Sequence, residues 1–270
     1  MPAISPTKLR LQTARLAELY PQPGVFVREL HTLLMLYADN THRSGQSGAP
    51  SALIEAYNIS PQVMRHINLS LKPMVERDPT RTLDLCDALW AEPNLEHRLL
   101  ACMLLGQMPI TQPEPILLRL ERWTAAVPEQ RLWRTLIEHG MTRLRRESPQ
   151  LVLMLVEEWL HSPKINFQQL GLRALIPQIE DNGFQNLPAV FLLLAPFLRS
   201  CPSHIRPDLI ELLGKLALCS PNETAYTLRA ALGSADNPDA AWIIRQVLPR
   251  FPDDIKVYLR QAMKDAAIKG

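Results

Sequence analysis

The chain has 270 residues, 21% charged and 47% apolar, a balance that excludes a disordered polymer and allows a sizeable core. Its 29 Lys and Arg against 27 Asp and Glu leave a net charge of only +2. Composition alone therefore does not mark a nucleic-acid binder, and only a local basic face could make it one.

In chain order, helices are expected over 7–20, 25–38, 51–57 and 61–77. Between the second and third lies Ser44-Gly45-Gln46-Ser47-Gly48, which lacks the lysine and glycine spacing of a phosphate loop and reads as a flexible connector. From Asp78 onward a pattern sets in. Prolines follow helix-capping residues at Ser60-Pro61, Asp78-Pro79, Ser148-Pro149, Ser162-Pro163, Ser220-Pro221 and Asn237-Pro238. A capping oxygen accepts from a free N–H of the first turn, and proline beside it loses nothing, having no N–H to satisfy. Ser220 with Glu223 adds a capping box.

Between these starts apolar residues recur every three or four positions, as in Leu95, Leu99, Cys102 and Met103 or Leu209, Leu212, Leu213 and Leu216. First helices open near Pro79, Pro113, Pro149, Pro188 and Pro221, at steps of 34, 36, 39 and 33 residues. Second helices open near Pro93, Pro128, Pro163, Pro202 and Pro238, at steps of 35, 35, 39 and 36. Two helices per unit of about 35 residues predict an all-α fold, a right-handed α-solenoid of HEAT-like, armadillo-type hairpins. The tetratricopeptide consensus is absent. Residues 1–50 form N-terminal helices and the connector, residues 51–270 the repeat stack, and a helix over 253–268 closes it with a polar end.

The apolar run Leu187 to Leu198 carries Pro188 and Pro196 and is short of the roughly 20 residues of a membrane span. The N-terminus lacks a signal-peptide core, and Cys86, Cys102, Cys201 and Cys219, all in apolar helical patterns, read as reduced core thiols of a cytoplasmic protein. Nucleophile-elbow, zincin, dinucleotide and Walker motifs are missing, and seven scattered histidines show no metal-ligand spacing, so no metal, cofactor or membrane is expected.

The most basic segment is the helix expected from Pro128 to Arg146, with Arg131, Arg134, Arg143, Arg145 and Arg146. Arg131 and Arg134 share a face and could reach a phosphate backbone, though Glu138 and Glu147 equally suit local ion pairs on a solvated face. Second helices line the concave side of such stacks, which nominates Arg98, Arg131, Arg134, Gln169, Arg173, Arg206 and Arg245 as nucleic-acid contacts. Trp242, three residues before Arg245, offers an aromatic surface beside a cation, or else a core residue.

Tyr57-Asn-Ile-Ser-Pro-Gln-Val-Met-Arg65 and Ala88-Leu-Trp-Ala-Glu-Pro-Asn-Leu-Glu96 resemble the N-terminal half of the AlkD-type DNA alkylation repair family. So do Ser148-Pro-Gln-Leu with Trp159-Leu-His-Ser-Pro-Lys, and Ala241-Trp242-Ile-Ile-Arg245-Gln. The resemblance implies a HEAT-like solenoid that grips duplex DNA through phosphate contacts. In active members a carboxylate, tryptophans and an arginine release cationic alkylated purines. Registering on Ser148-Pro149 and Trp159 puts Glu129, Gln130, Arg131 and Arg134 where the tryptophans and aspartates belong, and Gln169 at the arginine position. Registering on Trp242 and Arg245 moves the arginine position near Arg206 and the aspartate motif into Phe167-Gln168-Gln169. Neither restores the full set, and Glu129, one turn before Trp133, is the sole catalytic candidate. Three readings follow: a non-catalytic scaffold binding nucleic-acid backbone, an active alkylpurine glycosylase, or a solenoid whose concave face holds a protein partner.

Overall fold

In a computed structural model, which describes residues 5–39, 54–126, 130–233 and 239–269 (126, 130, 131, 268 and 269 for backbone only), the chain is all-helical, with no strand among the described residues. It divides into two compact units, Met1–Glu147 and Ser148–Gly270. The first holds α1 (Pro6–Glu18), α2 (Pro23–Tyr37), α3 (Pro61–Arg77), α4 (Pro79–Ala91), α5 (Leu95–Leu105), α6 (Glu114–Ala126), α7 (Gln130–Thr135) and α8 (Thr142–Glu147). The second holds α9 (Pro149–His161), α10 (Ile165–Ile179), α11 (Leu187–Arg199), α12 (Arg206–Cys219), α13 (Pro221–Leu232), α14 (Ala240–Val247) and α15 (Asp253–Lys269).

Inside each unit alternate helices pack side by side, so that two layers form. In the first, α1, α3 and α5 make one layer and α2 and α4 the other; in the second, α10, α12 and α14 lie against one another, as do α9, α11 and α13. A single helix pair could not bury its apolar stripe; stacked pairs do, with Leu85, Leu100, Leu104 and Leu120 fully enclosed in one unit and Val156, Leu170, Leu212 and Ile244 in the other. The helical-repeat architecture is thus as the proline and leucine spacings foretold.

The starts obey local chemistry unevenly. Asp78 accepts from the Arg81 N–H at 3.1 Å, Ser60 from Gln62 at 3.4 Å, and Asn186 from Ala189 at 3.4 Å. The capping box differs: the Ser220 hydroxyl donates to the Glu223 carboxylate at 2.6 Å and caps no N–H, so the two side chains satisfy each other. Cys86, Cys102 and Cys201 are buried, but Cys219 is exposed at the end of α12, and Cys201 lies outside any helix.

One expected helix is absent over its described residues and another is interrupted. Residues 54–60 run without helix, because their backbone is claimed from outside. The Leu95 N–H donates to the Glu55 carbonyl at 2.8 Å, and the nearly buried Glu96 carboxylate accepts the N–H groups of Tyr57 at 3.0 Å and Ile59 at 3.4 Å. Asn58 turns the strap with φ of 56°, a left-handed conformation that asparagine tolerates. Residues 40–53, including the Gly/Ser connector, lie outside the described ones.

Under this strap His97 is fully buried, its ring 6.0 Å from Tyr57 and stacked 6.4 Å from His31, which pairs with the Tyr57 hydroxyl at 2.5 Å. Among the described residues neither His97 ring nitrogen makes a well-formed hydrogen bond, the Val27 backbone interacting only weakly with the ring. Burial, then the nearby His31, pushes its pKa down from 6.5 to about 4, with the Val27 backbone offsetting part of the effect. A depressed histidine pKa means the unfolded chain binds the extra proton, so stability is complete above about pH 6.5 and drains away as pH falls toward 4. At most about 3 kcal/mol is lost across that window. Urea melts at pH 7 and 4.5 should show this loss in the parent and not in His97→Leu; equal losses would contradict it.

The long basic helix is present but interrupted. α7 ends at Thr135, residues Leu136–Gly140 form a π turn, and α8 starts at Thr142. The wider turn is stabilised from both sides. Arg145 donates to the carbonyls of Ile137 and, at 2.9 Å, Glu138, while Gly106 at the end of α5 comes so close that a Cβ there would lie 1.6 Å from the His139 carbonyl oxygen.

Candidate nucleic-acid interface

The nominated residues of the second unit lie on α10, α12 and α14, and most are joined across one repeat. Gln169 donates to the His204 carbonyl at 2.8 Å, and the neighbouring Gln168 pairs with the His204 ring at 2.8 Å. Arg173 donates to Asp208 at 2.6 Å. Arg206 donates to Asp239 at 3.1 Å and to the Cys201 carbonyl at 3.2 Å. These bonds form a ladder that holds each second helix against the next. Arg173 and Gln169 are therefore occupied within the stack.

Asp208 is the most constrained member. It is 2% exposed, in the first turn of α12, and only one of its carboxylate oxygens has a partner. Burial raises its pKa, outweighing the Arg173 guanidinium that pulls it down. So enclosed a carboxylate cannot meet a sugar or base.

Trp242 and Arg245 complete this face. The Arg206 guanidinium sits over the Trp242 ring at 4.9 Å, so the cation beside the indole is Arg206 and not the Arg245 that the local spacing suggested. Arg206 reaches the indole from the neighbouring α12, while Arg245, one turn along α14 from Trp242, is exposed. Trp242 is half-buried, leaving part of its ring open.

The first-unit candidates separate. Arg98 donates to the carbonyls of Trp90 at 3.2 Å and Glu92 at 2.8 Å and lies over the Trp90 ring, finishing the C-terminus of α4. Arg134 projects into solvent, loosely paired with Glu138 at 3.8 Å. Arg131 is on α7, its side chain outside the described residues, and Glu129 lies outside them altogether. Trp133, the aromatic partner imagined for Glu129, is buried in the core.

The structure also gathers what the sequence did not single out. An open groove of about 710 Å³ runs beside the C-terminal halves of α3 and α5 and along α8. Its rim carries Lys72 from α3 and, some 70 residues further on, His139 from the π turn and Arg143 and Arg146 from α8. Among the described residues no three His, Cys, Asp or Glu side chains converge as a metal site, and no helix is long and apolar enough to cross a membrane.

With this geometry in place, the comparisons are informative. The family model described as "DNA alkylation repair enzyme" matches residues 39–201. The chain belongs to that family. The matched stretch takes in the strap, Trp90, Ser148-Pro149 and Trp159, and ends before Trp242 and Arg245. Among solved structures, smu.31 from Streptococcus mutans UA159 is similar in fold, with a TM-score of 0.50 at 14% identity over 69% of this chain and 96% of that one. No curated protein matches. Membership in the DNA alkylation repair enzyme family accounts for the all-helical repeat fold.

Asp208, Asp239 and His204 were missed as site neighbours, yet a signal existed. Each lies 33 to 35 positions beyond the residue it holds, the length of one repeat. Scanning for opposite charges one repeat apart finds the acid–arginine pairs. Nothing comparable points to the groove, because the π turn that places Arg143 and Arg146 has no sequence mark.

Proposed function

We propose that the chain is a backbone-binding scaffold of the DNA alkylation repair enzyme family, holding duplex DNA through phosphate contacts without excising bases. The observation that carries this reading is the Arg206–Trp242 stack, with Arg245 exposed one helical turn on. A partly open indole braced by a guanidinium offers a flat apolar face for sugar or base edge, and the exposed Arg245 neutralises phosphate. Against excision stand the burial of Asp208 and the use of Gln169 and Arg173 inside the stack. The oxocarbenium-like charge left by a departing base needs an accessible carboxylate.

The test is a salt titration of binding to plain and N-methylated duplexes. Affinity should fall at least about tenfold between 50 and 200 mM salt, and Arg245→Gln should lower the logarithmic slope by about one. Trp242→Ala should weaken binding roughly fivefold or more without altering the slope. No binding at low salt removes the reading, and base release from the methylated duplex removes its non-catalytic half.

A further inference from the structure

We propose that the groove of the first unit is a binding site for a nucleoside 5′-phosphate, free or as an unpaired unit of a strand, with its phosphate at Lys72 and Arg146 and its base over Leu69 and Met103. The inference does not depend on the duplex-binding face of the second unit.

The charges select an anion. Both rim carboxylates are already taken, since Arg143 donates to Glu76 at 2.7 Å and to Glu147 at 2.6 Å. Lys72 and Arg146, both exposed, have no ion-pair partner among the described residues. The carbonyls at the end of α5 would ordinarily repel an anion. Here they are covered, the Gly106 carbonyl by the Arg143 N–H at 3.1 Å and the Gln107 carbonyl by the Arg143 guanidinium at 3.1 Å. Arg143 thus silences the negative groups of the groove and leaves two cations uncommitted.

The remaining lining selects a flat, partly apolar body with polar edges. Leu69, 55% exposed on α3, and Met103 give the groove an apolar wall. Beside them the Gln107 amide donates to the Asn68 carbonyl oxygen at 2.5 Å and to the Met103 carbonyl at 3.1 Å. With both its N–H groups used, the Gln107 oxygen remains an acceptor, and the Asn68 amide remains a donor, so the pair offers one of each. That is the pattern with which carboxamides read a base edge. A volume of about 710 Å³ lies within the usual range for small-ligand sites and admits one nucleotide with room for water.

Calorimetric titration of the full chain decides the matter, using adenosine monophosphate, adenosine, inorganic phosphate and a 5′-phosphorylated single-stranded trinucleotide. Saturable binding of the monophosphate is expected, at least tenfold tighter than adenosine or phosphate alone. The double variant Lys72→Gln/Arg146→Gln, altering exposed side chains only, should lose that binding at least tenfold with an unchanged melting temperature. Leu69→Ala should weaken the monophosphate and spare inorganic phosphate. A trinucleotide bound more tightly than the monophosphate assigns the site to a strand; the reverse assigns it to a free nucleotide. The proposal is overturned if neither binds at millimolar concentration, if phosphate binds as well as the nucleotide, or if the double variant binds normally.

Discussion

Gly106→Ala should be the most damaging single methyl addition in the first unit. A Cβ at this position would stand 1.6 Å from the His139 carbonyl oxygen and 2.7 Å from its carbon, and both are backbone atoms fixed in the π turn. Flexible side chains can rotate away from an added methyl, whereas here α5 or the turn must move bodily. Displacement would also strain the bonds that Arg145 and Arg143 make to Ile137, Glu138 and Gly106. A cost of about 3 kcal/mol or more is expected, at or above the upper range for overpacking. Gly24→Ala is the control, since nothing lies within 4 Å of its added Cβ, and it should stay within about 0.5 kcal/mol of the parent. Chemical denaturation of both variants measures the difference. Equal midpoints would mean that α5 and the π turn are not in contact.

Arg173→Ala should be comparably severe in the second unit, for an electrostatic reason. Asp208 is almost wholly enclosed, one carboxylate oxygen is already unpartnered, and Arg173 answers the other at 2.6 Å. Removing the arginine leaves a buried carboxylate without its countercharge, which costs roughly 3–5 kcal/mol. Truncating both, as Arg173→Met with Asp208→Leu, should recover most of that loss, because apolar side chains of similar size need no countercharge. The pH dependence carries a definite sign. A carboxyl group with a raised folded-state pKa is better tolerated protonated, so its stabilising share is present at low pH and is lost as pH rises through the folded value. In Arg173→Ala this rise is steeper. Its deficit against the parent should be largest near pH 7 and shrink as the solution is acidified toward the ordinary aspartate range, measured by urea melts at several pH values. A deficit independent of pH would mean that Arg173 matters for packing and not for charge.

The groove and the ladder differ in how far they could be foreseen. Ladder pairs such as Arg173 with Asp208 and Arg206 with Asp239 join residues 35 and 33 positions apart, so a repeat of known length predicts their meeting. Groove residues come from α3 and α8 and meet through a backbone irregularity. Glu76 and Arg143, which organise it, are 67 positions apart, and no single repeat step links them. The strap at 54–60 teaches the same point, since its extended course is imposed by Glu96, 37 and 39 residues further on.

By itself the sequence determined most of the helices and their starts, and the repeat. Those features depend on capping oxygens, prolines and apolar spacing within a few residues, where the backbone obeys its immediate neighbours. Tertiary structure alone decided which cations remain available. Arg98, Arg173 and Arg206 are drawn into the stack, while Lys72, Arg146 and Arg245 face solvent. The charge on a side chain is written in the chain, but whether a partner already neutralises it depends on what packing brings within about 3 Å.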